Sequence, residues 1–189
     1  EIYKDKIEKD EVNIPCIRLR YADEDSAGFH IDILPVVETE SSIIYIPRKE
    51  EWEESDPRSY TKWVINKGER YRRTLMMLKR WRDLHSVPIK SIVLQVLIAN
   101  SLSHSLEDSI NVQETLASLN SYLSDKLVVP EVINPVLQTE DLASRWDLND
   151  FLKFKELVED ATKLATSAIT EDRHDEAASL WQTIFGKSF

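Results

Sequence analysis

The hydrophobic pattern of this chain changes period once, near residue 50, and that change sets the kind of fold open to it. Before it, apolar residues alternate. Over 14–21, Ile17, Leu19 and Tyr21 alternate with Arg18 and Arg20, the period of a strand with one buried face. Over 29–37, Phe29, Ile31 and Ile33 share one face, and His30, Asp32 and Leu34 share the other. A polar turn over 23–28 joins the two runs, so they read as a hairpin. The run 43–46 reads as a third, short strand that Pro47 ends. Two or three strands are marginal alone, so the missing strands of this sheet are expected upstream of Glu1.

After the change the spacing is helical. An acidic loop over 52–60 leads into a helix over about 59–84, with Thr74, Leu75, Leu78, Trp81 and Arg82 at helical intervals. Its basic residues, Arg70, Arg72, Arg73, Lys79, Arg80 and Arg82, make it the most basic stretch of the chain. Pro88 breaks the pattern. A second helix, over about 91–103, is apolar nearly all round and is therefore expected to be buried. A third runs over 109–124. The segment 125–141 holds Pro130 and Pro135 and reads as extended, and 140–146 as one helical turn. Long helices follow over 148–170 and 171–185, the last stopped by Gly186. The class is α+β, a strand-rich opening followed by helices.

Composition narrows the chemistry. The 24 basic and 34 acidic residues leave a net charge of −10, which argues against a long nucleic acid as partner, because phosphate contacts dominate that affinity. It leaves single nucleotides open. The longest apolar run, 92–99, is too short to span a bilayer and is interrupted by Gln95. A charged start and a single cysteine, Cys16, give no secretory pattern and no internal disulfide, so a cytoplasmic location is expected. With glycine only at 28, 68 and 186, the chain holds no Gly-rich phosphate loop of the Walker or dinucleotide type. His30, His85, His104 and His174 show no metal-ligand spacing. Cys16 reads as a small core residue, and the five tryptophans read as buried anchors between helices.

Three residues could carry chemistry. Asp32 stands mid-strand among apolar neighbours, where a carboxylate is costly unless paired; a hard divalent cation is one partner, and water or an arginine at an exposed edge strand is the other. Lys79, late in the basic helix, and Ser91, opening the next, could hold a triphosphate from facing helix ends. They could equally be a solvated basic face and an N-cap serine.

Several segments, in this order, resemble the bacterial cyclic-oligonucleotide synthases of anti-phage defence, relatives of cyclic GMP-AMP synthase and oligoadenylate synthetase. His30-Ile31-Asp32-Ile33-Leu34-Pro35 resembles the strand bearing that family's third metal carboxylate. Ile46-Pro47 through Trp52, Asp56-Pro57 and Asn66 resembles its connection into the helical lobe. Leu78-Lys79-Arg80-Trp81 with Lys90-Ser91 resembles its phosphate grip. Asn134-Pro135 with Asp141-Leu142 to Trp146 fits the same lobe, and Trp181 to Gly186 resembles the closing segment.

The resemblance implies part of a nucleotidyltransferase β-sheet over 1–47 and an all-helical, oligoadenylate-synthetase-like lobe over 48–189. It implies a metal-dependent nucleotidyltransferase that makes a cyclic di- or trinucleotide second messenger from ATP, GTP or other nucleoside triphosphates, with two Mg2+ or Mn2+ ions. Asp32 would then be catalytic and a metal ligand, and Lys79 and Ser91 would bind the donor's β- and γ-phosphates. Expected partners are nucleoside triphosphates, the missing amino-terminal portion and regulatory defence proteins, with no long nucleic acid and no membrane. The sequence departs from the family in one respect. No Gly-Ser turn and no Asp-x-Asp strand precedes Asp32, and Asp23-Glu24-Asp25 falls in a turn, so the chain as given is expected to be inactive alone. A catalytically inactive nucleotide- or partner-binding relative, a purely structural helical domain and a template-independent RNA-tailing enzyme are the rival readings.

Overall fold

The computed structural model describes the backbone of residues 7–8, 17–20, 30–47 and 51–187, and the side chains of 31–47 and 51–187. Cys16, the turn over 23–28 with its Asp23-Glu24-Asp25 run, and the side chain of His30 lie outside the described residues. Strands come first and helices after, as the change of period implies. The chain divides into two compact units, Glu1–Tyr60 and Thr61–Phe189.

In the first unit β1 (Ile7–Glu8), β2 (Ile17–Arg20) and β3 (His30–Ile33) form an antiparallel sheet in the order β1-β2-β3. A second antiparallel sheet holds β4 (Val37–Glu38), β5 (Ile44–Pro47) and β6 (Trp52–Ser55) in the order β4-β5-β6. The run expected as one strand over 29–37 is thus two strands in two sheets. Pro35, between them, has no N–H to donate and a fixed φ, so a ladder cannot pass through it. The acidic segment expected as a loop contributes β6, which pairs Glu54 with Tyr45 and Trp52 with Pro47. Trp52 is 56% exposed, contrary to its expected role as a buried anchor. Trp81 is buried, and Trp63, Trp146 and Trp181 are half-buried.

Helix α1 (Pro57–Asn66) starts at a buried carboxylate. Asp56 Oδ1 accepts from Ser59 N at 2.9 Å, and its Oδ2 accepts from Ser42 Oγ at 2.5 Å. Its own carbonyl accepts from Tyr60 N. This is N-capping with proline at the first helical position, and it ties the turn before β5 to the helix start.

The helix expected over 59–84 is broken after Asn66. Helix α2 (Gly68–Leu84) begins at a glycine with φ 83°, a left-handed conformation that disfavours any Cβ. The remaining helices are α3 (Ser91–Ser101), α4 (Asp108–Ser124), α5 (Leu148–Thr170) and α6 (His174–Phe185). The segment expected as one helical turn over 140–146 is instead turns plus a single bridge, Ile133 to Asp141. Helix α3 buries Val93, Leu94, Val96, Leu97 and Ile98, the all-round burial that its composition predicts. Helix α5 packs against both α4 and α6, and α2 meets α3, α4 and α6.

The α4–α5 seam follows from sequence spacing. The buried residues of α5 are Phe151, Phe154, Val158, Ala161, Ala165 and Ala168. Their alternating intervals of three and four keep one narrow stripe facing a partner. Side chains shrink from phenylalanine to alanine along it, which admits closer backbone approach toward the C-terminal end. Val112, Leu116, Leu119 and Leu123 supply the matching stripe on α4. Each large apolar side chain so buried contributes about 1.5–3 kcal/mol. Asp147 caps α5, accepting from Asn149 N at 2.8 Å and Asp150 N at 3.3 Å.

One polar cluster sits inside this apolar packing. Asn111 is fully buried. Its Nδ2 donates to Ser105 O at 3.2 Å, and its Oδ1 accepts from Thr115 Oγ1 at 3.2 Å. Thr115 Oγ1 in turn accepts from Ser103 N at 3.2 Å. The loop between α3 and α4 is thereby fastened to α4 by satisfied buried hydrogen bonds.

Candidate functional site

Asp32 lies on β3, which is antiparallel to β2 with Arg18 opposite Asp32. The two-residue period puts Asp32 on the face of His30 and opposite to Ile31 and Ile33. Asp32 is exposed, and Ile31 and Ile33 are 41% and 49% exposed. The cost of burying a carboxylate, from which the sequence reading of Asp32 began, therefore does not apply in this chain. What remains is a carboxylate held on a strand. Among the described residues no group of three or more His, Cys, Asp or Glu side chains is placed to hold a metal ion. Asp32 offers one hard oxygen ligand of the kind magnesium prefers, but a single carboxylate is not a metal site.

Lys79 and Ser91 belong to the second unit and flank one loop. Lys79 lies in the second half of α2, and Ser91 is the first residue of α3. Most of the basic stretch around Lys79 is already engaged. Arg72 pairs with Glu69, Arg73 with Asp108 and Arg82 with Asp83. Arg80 Nε donates to the carbonyl of Phe185 at 3.3 Å, and His85 Nε2 lies 2.9 Å from the carbonyl of Ile184. Arg80 and His85 thus serve the C-terminal carbonyls of α6, a structural task for the histidine. Half-buried Lys79 stands in no ion pair or hydrogen bond among the described residues.

Ser91 is not the N-cap. That position is Lys90, at φ −66° and ψ 140°, and it makes no side-chain cap bond. Ser91 Oγ is 3.3 Å from Gln95 Nε2, from which it accepts. Its hydroxyl proton remains available to another acceptor. The first turn of α3 therefore presents a hydroxyl and backbone N–H groups that no side chain caps. Such a helix start, with an unengaged ammonium on the preceding helix, suits phosphate oxygens.

The sequence fits the segment 132–146 to the helical lobe but gives it no part in the site. Asp141 Oδ1 accepts from Val132 N and Ala143 N, both at 2.9 Å. Asn134 Oδ1 accepts from Val136 N at 2.9 Å, and its Nδ2 donates to Glu140 Oε2 at 2.6 Å. The segment is braced by its own side chains, and the visible signals were Asn134 before Pro135 and the aspartate that follows. A cavity of about 310 Å3 lies between this segment and the start of α3, lined by Pro88, Lys90, Val93, Leu142, Arg145 and Trp146 among others.

No protein-family model matches the chain. Curated relatives do. The cyclic AMP-AMP-AMP synthase of an Acinetobacter species is 22% identical over 172 residues, covering 84% of this chain and 50% of the relative. A probable cyclic AMP-AMP-GMP nucleotide synthase of Salmonella paratyphi B is 25% identical over 178 residues, covering 87% of this chain and 47% of the relative. The chain is related to the bacterial cyclic-oligonucleotide synthases. It matches only their carboxy-terminal part and spans about half the length of the curated relatives it matches.

Solved structures give the same fold. A Vibrio cholerae di-nucleotide cyclase in complex with GTP superposes with a TM-score of 0.74 at 21% identity, over 96% of this chain and 52% of that one. Escherichia coli MS115-1 CdnC, solved in complex with HORMA-deltaN, gives 0.73 at 17% identity, over 98% of this chain and 65% of that one. At such identities the likeness establishes the fold, that of a nucleotidyltransferase.

Proposed function

We propose that this chain is part of a nucleotidyltransferase that joins ribonucleoside triphosphates into a cyclic di- or trinucleotide. The observation that carries the reading is Lys79, in no ion pair or hydrogen bond among the described residues within a basic helix whose Arg72, Arg73 and Arg82 are paired, together with Ser91 at a helix start that no side chain caps, on the other side of one loop. In this reading the Lys79 ammonium and the Ser91 hydroxyl hold the β- and γ-phosphates of ATP or GTP. Asp32 supplies one carboxylate to a site for Mg2+ or Mn2+ whose other ligands lie outside the described residues. Bound divalent cations would stabilise charge on the phosphates and the leaving pyrophosphate.

The chain carries one of the carboxylates such a site needs and is inactive alone in this reading. The apolar side chains of Ile31, Ile33, Leu34, Val36 and Val37, all substantially exposed, are where the remainder of the sheet lobe would pack. A role in antiviral defence is part of the proposal through the family resemblance of the sequence, and a regulatory protein as partner follows by analogy with the structural neighbour solved with HORMA-deltaN. No described helix is long and apolar enough to cross a membrane, and a cytoplasmic location is part of the proposal.

The test is pyrophosphate release by the complete protein from ATP and GTP with Mg2+. Asp32→Asn is expected to abolish it without lowering the melting temperature. Lys79→Ala is expected to raise KM by about 10-fold or more, the worth of one charge-assisted hydrogen bond. Full activity in Asp32→Asn would overturn the site. Nucleotide binding with no release by the wild-type protein would instead identify a catalytically inactive relative.

A further inference from the structure

The loop 85–90 joins the helix that carries Lys79 to the helix that opens with Ser91. It is not free to choose its shape. Val87 N donates to Arg82 O at 2.9 Å and Ile89 N to Val87 O at 2.8 Å, and Ser86 takes a left-handed φ of 49°. Val87 and Ile89 are buried. Between them the carbonyl of Pro88 accepts from Trp146 Nε1 at 2.9 Å, across 58 residues of chain.

Trp146 is itself fixed. Its ring meets Phe151 edge-on at 5.4 Å and leans on Phe154 at 5.2 Å, both fully buried on α5. Its backbone N–H donates to Ala143 O at 2.8 Å, within the segment braced by Asp141. Ser91 follows Pro88 by three residues, through an extended Lys90. Ser91 thus lies three residues from the Pro88 carbonyl, while Val93, Leu94, Val96, Leu97 and Ile98 hold the rest of α3 in the core.

We propose that Trp146 is a positioning residue for the triphosphate grip. By holding the Pro88 carbonyl, its indole N–H references the start of α3 to α5 and so sets Ser91 relative to Lys79. The inference rests on the phosphate reading of Lys79 and Ser91. Small displacements of binding groups have disproportionate effects on such sites, and the loss of one well-made hydrogen bond corresponds to about tenfold in an equilibrium constant.

The experiment is calorimetric titration of the 189-residue chain with inorganic tripolyphosphate, at a temperature where every variant is folded by circular dichroism. Trp146→Phe keeps an aromatic ring and loses the donor. Replacing Trp146 by 3-benzothienylalanine keeps the bicyclic shape and removes only the N–H, so it serves if the phenylalanine variant does not fold. Lys79→Ala is the companion. The expected result is loss of binding in Lys79→Ala and about tenfold weaker binding in the fully folded Trp146 variants. A purely structural tryptophan would lower the melting temperature and leave the affinity unchanged. If the Trp146 variants bind as the wild type does while Lys79→Ala fails, the inference falls and the phosphate reading stands. If Lys79→Ala binds as well as the wild type, the phosphate reading falls and takes the inference with it.

Discussion

Replacing Asn111 by alanine should destabilise the helical unit by about 2 kcal/mol. The side chain is fully buried and makes a hydrogen bond to Ser105 O, another from Thr115, and a longer contact at 3.4 Å with Thr74 Oγ1. These losses are unequal. Thr74 already donates to Arg70 O at 3.0 Å, so it loses little. Thr115 can turn its hydroxyl onto the carbonyl of residue 111, four positions back. The carbonyl of Ser105 loses its donor outright, at about 1 kcal/mol. The space left by the amide adds a comparable amount, because a rigid core closes only partly over a void. Urea unfolding at pH 7 is the assay, and the midpoint should fall with an unchanged denaturant slope. Asn111→Asp should be worse than alanine, since it places a buried carboxylate against a carbonyl oxygen. A loss below about 0.5 kcal/mol for alanine, or an aspartate variant as stable as wild type, would refute the argument.

Three further outcomes are expected. Gly68→Ala should cost about 1 kcal/mol, all of it from the left-handed backbone, because a Cβ there meets nothing within 4 Å; Gly68→Asn should cost less, and unfolding midpoints check both. Asp147→Ala should cost about 1 kcal/mol by uncapping α5, read as earlier thermal unfolding. Burial pushes the Tyr60 hydroxyl up to about 12. The unfolded chain, with its tyrosine near 10, then loses its proton first as pH rises. Stability should fall between about pH 10 and pH 12, and Tyr60→Phe should remove part of that fall when urea midpoints at the two ends are compared.

Elements whose causes are local were legible in the sequence. Helix α5 begins and ends where its spacing says, at Leu148 and Thr170, because Asp147 caps it and its apolar residues recur at three and four. Helix α3 is buried on all sides, as its composition requires. Elements whose causes are distant were not. Strand β6 has the sequence Trp-Glu-Glu-Ser, which carries no apolar alternation; its pairing to β5 makes it a strand. The break before Gly68 leaves no mark in the pattern, because helical spacing continues on both sides of it.

The candidate site divides along the same line. Asp32, Lys79 and Ser91 are residue types that advertise chemistry, and the order of motifs around them was readable. The cost of burial does not single out Asp32, since that residue is exposed. Ser91 is the first helical residue, with Lys90 in the cap position. The contribution of Trp146 depends on a partner 58 residues away, which no local pattern discloses. The engagement of Arg80 with the end of α6 is equally invisible without the fold.

The most direct test of the account is to incubate the complete protein with Mg2+ and radiolabelled ATP and GTP, then treat the products with phosphatase. A cyclic product has no terminal phosphate and survives, and that is the result expected. Linear, phosphatase-sensitive products, or no product at all, would contradict the proposal that this chain belongs to an enzyme making cyclic nucleotides.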